Sequence, residues 1–204
     1  MQHTVIGRSK LPPTVSSSRL LHERSDQRFR QMMYDITLIA EKIQKIRGLF
    51  AAYLDMTPPQ YNILMAVSHL GAVEGVEIGV IARHLHVSSP FVTMEVKKLT
   101  RRKLVEKLPN PADQRSILVR LTAQTEQAIA ALTPMVQAVN DAFFGIMKKD
   151  EFLILSQLGR QLAISSLQGE QIAAELLQNR FRREDRDLHK AASGRRKNSR
   201  RSSL

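Results

Sequence analysis

Residues Ile78 to Thr122 read IGVIARHLHVSSPFVTMEVKKLTRRKLVEKLPNPADQRSILVRLT, and this stretch decides the fold. Ile78, Ile81, Ala82 and Leu85 repeat at helical spacing, and the turn His86-Val87-Ser88 follows them. Ser89-Pro90 then opens a second helix, with Ser89 as its N-cap and Pro90 at the first position, where a missing N–H costs nothing. Val92, Val96 and Leu99 form its buried stripe. Pro90, Thr93, Met94, Lys97 and Arg101 are left on the opposite face, which is mixed and basic. Two β-prone runs follow, Leu104–Leu108 and Ile117–Leu121, the second alternating at period two, around a polar loop with Pro109, Asn110, Pro111 and Asp113. Helix, turn, helix and hairpin in this order predict a winged helix-turn-helix, mainly α with a small β-wing. An apolar back and a cationic front are what a helix needs to be held by its domain while entering a major groove.

At the end of the loop stand Asp113 and Arg115. An arginine there can reach a minor groove while the carboxylate holds its guanidinium; a solvated turn with a surface ion pair is the other reading of the same spacing.

LPNPADQRSILVRLT, residues 108 to 122, resembles the wing signature of the MarR (multiple antibiotic resistance regulator) family, in which Asp-x-Arg precedes an apolar strand and Leu-Thr. The resemblance covers residues 28 to about 175. It implies a dimeric, ligand-responsive DNA-binding regulator, with Ser88 to Arg101 as recognition helix and Asp113 and Arg115 as the wing pair. Two positions depart from the pattern. Met94 stands where many members carry a basic residue, and Lys103 where a glycine commonly ends the recognition helix, which implies a strained or reshaped helix end.

Charge supports a polyanionic partner. The net charge is +12, and its distribution says more than its sum. Between Arg83 and Arg115 eight Lys or Arg face three acids, and from Arg180 onward ten face three, so the whole excess sits in the reading head and a tail. Ser88 is expected at the DNA, and Ser89, Pro90, Thr93, Met94 and Lys97 are expected to face bases, with Met94 against a thymine methyl. Lys98, Arg101 and Arg102 are expected on phosphates.

With no cysteine in the chain, disulfides, thiolate zinc sites and thiol-based oxidant sensing are excluded. His84-x-His86 is a poor metal pair, because i and i+2 point to different sides of a helix. There is no glycine-rich phosphate loop, nucleophile elbow or paired-carboxylate site, so neither an enzyme nor a cofactor is expected. No apolar run approaches the roughly 20 residues that span a bilayer, and no signal peptide opens the chain, so no membrane partner and a cytoplasmic location are expected.

The rest of the chain frames the reading head. Residues 1–25 are expected to be a flexible N-terminal arm, 26–55 and 122–178 a helical dimerisation region, 56–121 the winged helix-turn-helix, and 179–204 a basic disordered tail anchoring DNA non-specifically. The first helix carries two apolar rows, Phe29, Met33, Ile36, Ala40, Ile43 and Met32, Ile39, Ile46, Tyr53, more than one small domain needs to cover. Met56-Thr57-Pro58-Pro59-Gln60-Tyr61 is a capping box that starts the next helix, with Ile63, Val67 and Leu70 inward and Gly71 at its end. Val76 to Ile78 add a first strand to the wing. After it, Thr122 caps a helix that Pro134 should kink, and Asp150 opens the last one.

The sequence thus reads as a sequence-specific homodimeric repressor on an inverted-repeat operator in double-stranded DNA. The alternative is an architectural, weakly specific DNA-binding protein. Through the family resemblance, a small aromatic or anionic effector is expected between the dimer helices and the winged domain. Its candidate contacts are Met32, Met33, Tyr34, Tyr61, Met65 and His69, because adaptable methionines suit an irregular apolar ligand and Tyr or His can orient a carboxylate or phenol.

Overall fold

The computed structural model describes residues 11–71, 74–113 and 115–201, with side chains as far as residue 182. It contains six α-helices and a three-stranded antiparallel sheet among the described residues: α1 Gln27–Tyr53, α2 Pro58–Leu70, β1 Val76–Glu77, α3 Ile78–Leu85, α4 Ser89–Arg101, β2 Val105–Pro109, β3 Ile117–Leu121, α5 Ala123–Phe144 and α6 Lys149–Arg201. The sheet order is β1-β3-β2, with Val76 opposite Val119 and Val105 opposite Leu121. This is the winged helix-turn-helix that the sequence predicts, including its short first strand.

Two compact units divide at Pro134, inside α5. The first holds one core. Ile63, Leu64 and Val67 of α2, Ile81 of α3, Val92, Val96 and Leu99 of α4, and Val105 and Val119 of the sheet are fully or almost fully buried together. Leu70 lies outside this core and is partly exposed, contrary to its inward assignment. Helix α1 belongs to this unit through its C-terminal end, where Ala51 is buried and Phe50 stacks near Tyr61. Its N-terminal two thirds leave Met32, Met33, Ile36, Leu38 and Ile39 exposed. The unit therefore crosses the expected boundaries at 55 and 122.

Three helices in this unit end in the same way, and none uses glycine. Asp55, His86 and Lys103 adopt left-handed φ of 53°, 53° and 57°. After each, the next N–H donates to the carbonyl five residues earlier: Met56 to Ala51 (2.8 Å), Val87 to Ala82 (3.0 Å) and Leu104 to Leu99 (3.0 Å). These are Schellman closures, which satisfy carbonyls that the helix end would otherwise leave bare. Glycine is required elsewhere: Gly75 has φ +90° and packs so close to β3 that a Cβ would lie 3.1 Å from the Val119 carbonyl oxygen.

Two expectations for the ends of the chain need correction. Residues 11–25 are tied down rather than free, because the Asp26 carboxylate accepts from the Thr14 N–H (2.6 Å), the Thr14 hydroxyl (2.8 Å) and Arg30 (2.9 Å). The Thr14 N–H, with help from the Thr14 hydroxyl and Arg30, holds the Asp26 pKa down at about 2 against the opposing effect of burial. At the other end α6 runs on to Arg201, where a disordered tail is expected from residue 179. The reason is local: between 180 and 201 Gly194 is the sole glycine and there is no proline, while Arg, Lys, Glu, Leu and Ala favour helix. Residues 1–10 and 202–204 lie outside the described part.

The second unit comprises residues 135–204. Its long helix α6 leaves Phe152, Leu155, Leu158, Leu162, Ile172 and Leu176 exposed, an apolar face uncovered by the described residues of the unit. Lys149 rather than Asp150 opens it, with Glu151 accepting from the Lys148 N–H.

Candidate nucleic-acid interface

The interface is built on α4. Ser88, not Ser89, is its N-cap: the Ser88 Oγ accepts from the Phe91 N–H at 3.4 Å, which places Ser89 and Pro90 at the first two helical positions. Both arrangements put proline where the helix leaves N–H groups unpaired anyway, and that is why spacing alone missed the shift by one residue. Val92, Val96 and Leu99 are 0% exposed, so the helix cannot rotate without breaking the core. The outer residues Ser88, Ser89, Pro90, Thr93, Met94, Lys97, Lys98, Arg101 and Arg102 are all exposed, as are Asp113 and Arg115 in the wing loop.

The exposed residues are not equally available. The Thr93 hydroxyl donates back to the Ser89 carbonyl (2.8 Å), so its proton is committed and its oxygen is left to act as an acceptor. Lys98 is paired with Glu95 at 2.6 Å, and Arg102 with both the Asp55 carbonyl (2.7 Å) and its carboxylate (3.1 Å). Among the described residues, the free cations on the outward face of α4 are Lys97 and Arg101. Of the cations expected on phosphates, Lys98 and Arg102 therefore already have intramolecular duties.

The wing differs from expectation in one contact. Asp113 Oδ1 accepts from the backbone N–H of Arg115 at 2.9 Å, and the Asp113 carbonyl accepts from Ser116 N–H at 2.9 Å. The carboxylate thus shapes the loop backbone instead of gripping the Arg115 guanidinium, because an Asx turn needs only two residues of reach. Below it, the buried Asn110 donates to Glu77 (2.8 Å) and Ser116 (2.7 Å) and accepts from Ala112 N–H (2.9 Å). This ties the wing base to β1. Across the strands Arg120 meets Glu106 at 2.7 Å. The Asn110–Glu77 pair does not stand out in the sequence, since Asn110 reads as a loop residue and Glu77 lies 33 residues away.

The effector candidates do not converge. Met32, Met33 and Tyr34 are exposed on the N-terminal part of α1, Tyr34 to 72%. Tyr61 is buried against Phe50, and burial raises its pKa. Met65 packs on the core, and the exposed His69 lies 6.0 Å, ring to ring, from His84. A hollow of about 360 Å³ in the first unit is lined instead by Val67, Ser68, Leu121, Glu126, Ile129, Ala130 and Thr133. No cluster of three or more metal-ligating side chains occurs among the described residues, and no single helix there is long and apolar enough to cross a membrane.

This geometry has known counterparts. A family model described as MarR family matches residues 54–116, the span from the end of α1 to the wing. The transcriptional regulator HosA of Escherichia coli O111:H- is 29% identical over 108 residues, covering 53% of this chain and 78% of its own. The HTH-type transcriptional regulator YdcH of Bacillus subtilis (strain 168) is 30% identical over 112 residues, covering 54% and 76%. The crystal structure of a mutant MarR from E. coli complexed with operator DNA has the same fold, with a TM-score of 0.54 at 22% identity over 65% of this chain and 93% of that one. The wing signature, the sheet order and these relatives agree, and the chain belongs to the MarR family of transcriptional regulators.

Proposed function

We propose that the protein is a homodimeric, sequence-specific DNA-binding repressor that reads an inverted-repeat operator with α4 and is released from it by a small aromatic or anionic ligand. The observation that carries this reading is the two-sided character of α4. Its inner residues are fully buried, its outer face offers Ser89, Pro90, Thr93, Met94, Lys97 and Arg101 to solvent, and the wing loop carries an exposed arginine, Arg115. The similar E. coli MarR structure is a complex with operator DNA, which supports the same class of partner.

Met94 is 48% exposed and presents an apolar group, which suits a thymine methyl. Lys97 faces bases, Arg101 takes a phosphate, and Arg115 enters the minor groove. The uncovered apolar faces of α1 and α6 support association with a second copy. The ten cations beyond residue 179 add an electrostatic anchor that reads no bases. For the ligand, Met65 and His69 on α2 remain the best placed of the six candidates, since both reach the surface of the folded winged unit.

The test is an equilibrium titration of a selected inverted-repeat duplex against a scrambled duplex of equal length, at physiological salt. A sequence-specific regulator prefers the first by about 10³-fold or more. A ratio near one would convert the reading to an architectural DNA-binding protein, and the absence of salt-dependent binding to either duplex would refute a DNA partner.

A further inference from the structure

Helix α4 carries one residue that its outward chemistry does not explain. Glu95 is only 5% exposed, a carboxylate set in the apolar side of the helix between Val92, Val96 and Leu99. Both of its oxygens are used. Oε2 accepts from Gln60 Nε2 at 3.2 Å and Oε1 from Lys98 Nζ at 2.6 Å. Gln60 is itself 7% exposed and committed, because its Oε1 accepts from the Thr57 N–H at 3.3 Å in the capping box of α2. A polar chain therefore runs from the first turn of α2 through Gln60 and Glu95 to a lysine on the DNA-facing helix.

A buried carboxylate is costly unless paired and hydrogen-bonded, and an apolar residue at position 95 would complete the stripe more simply. The arrangement does two things that an apolar residue would not. It fixes the rotation of α4 on α2 by a directional contact, and it neutralises a cation that would otherwise face phosphate. Lys98 keeps 48% of its side chain exposed, so its ammonium is at the surface and would be free without Glu95.

We propose that Glu95 is a positioning residue for sequence discrimination: with Gln60 it sets the register of α4, and by holding Lys98 it withholds one sequence-independent phosphate contact per protomer. The proposal rests on the reading of α4 as the DNA-reading helix. Non-specific binding scales with the number of cations that displace counterions, at a slope of roughly 0.9 per phosphate neutralised. Withholding one weakens random-sequence binding while base contacts are kept. The specificity ratio rises as a result.

The experiment uses the full chain and two duplexes, an inverted-repeat site selected by the wild-type protein and its scrambled version, each titrated over a salt series. Glu95→Gln preserves shape and the Gln60 contact but releases Lys98. It is expected to bind scrambled DNA several-fold more tightly, with a salt slope steeper by about one per protomer, and to lower the specificity ratio several-fold. Adding Lys98→Met to Glu95→Gln should return the slope to the wild-type value. Glu41→Gln, the same charge change on α1, should leave slope and ratio unaltered. If Glu95→Gln folds poorly, Lys98→Met alone decides: a withheld lysine contributes less than about half a unit of slope, a free phosphate ligand about a full unit. Unchanged slope and ratio in Glu95→Gln, or a full-unit loss in Lys98→Met, would overturn the proposal while leaving the DNA-reading role intact. A wild-type protein that does not discriminate the duplexes would overturn that role, and this proposal with it.

Discussion

The Arg102 guanidinium grips Asp55 twice, donating to its backbone carbonyl at 2.7 Å and to its carboxylate at 3.1 Å, and so fastens the end of α1 to the end of α4. Forty-seven residues separate the two. The contact stands at a point where two Schellman closures meet, one at Asp55 and one at Lys103, so it orders two helix ends together.

Arg102→Ala is accordingly expected to lower stability by about 1 kcal/mol, the sum of one hydrogen bond to a carbonyl and a weak exposed ion pair. Urea titration checks this. A side chain reserved for phosphate would leave the midpoint unchanged and affect DNA binding alone.

Lys103→Gly should stabilise the protein, by about 1 kcal/mol, because a residue with a Cβ held at φ 57° carries a steric cost that glycine avoids. The same change at the neighbouring Arg102, whose φ is −85°, should destabilise it. Thermal unfolding of the two variants reads the opposite signs directly. Two equal downward shifts would contradict the assignment.

Much of this frame was legible in the sequence. The capping box Thr57-Pro58-Pro59-Gln60, the Ser-Pro opening of α4 and the alternation of β3 are local signals, each decided within a few residues. Partnerships across the fold were not legible: Gln60 with Glu95, Asn110 with Glu77 and Arg102 with Asp55 are separated by 35, 33 and 47 residues, and each residue alone reads as an ordinary polar group. The helix beyond residue 179 was missed because charge and serine content were weighed above intrinsic propensity.

For the wing, Asp113→Asn and Asp113→Ala should differ. An asparagine oxygen can still accept from the Arg115 N–H, whereas alanine cannot, so Asn should retain most DNA affinity and Ala should lose about 1 kcal/mol. Equal losses would mean that the charge, rather than the loop backbone, is what counts.

Acid should release the N-terminal segment. Asp26 has a folded pKa of about 2, below its ordinary 3.8, so the contribution of its contacts is fully present above that ordinary value and is lost as pH falls through about 2. The Thr14 amide resonance should follow this transition with a midpoint near the folded value, and Asp26→Asn should abolish it. A Thr14 midpoint at the ordinary carboxylate value would show that the segment is not held by the carboxylate.

The central claim, that two copies of α4 read DNA sequence together, is tested most directly by selecting bound duplexes from a random-sequence pool with the full-length protein. The expected result is an inverted repeat whose half-site centres lie about 10 bp apart, one helical turn, with the consensus at single positions altered by Thr93→Ala and left unchanged by Arg101→Ala. A pool that remains unenriched, or one that yields a single half-site with no repeat, would contradict it.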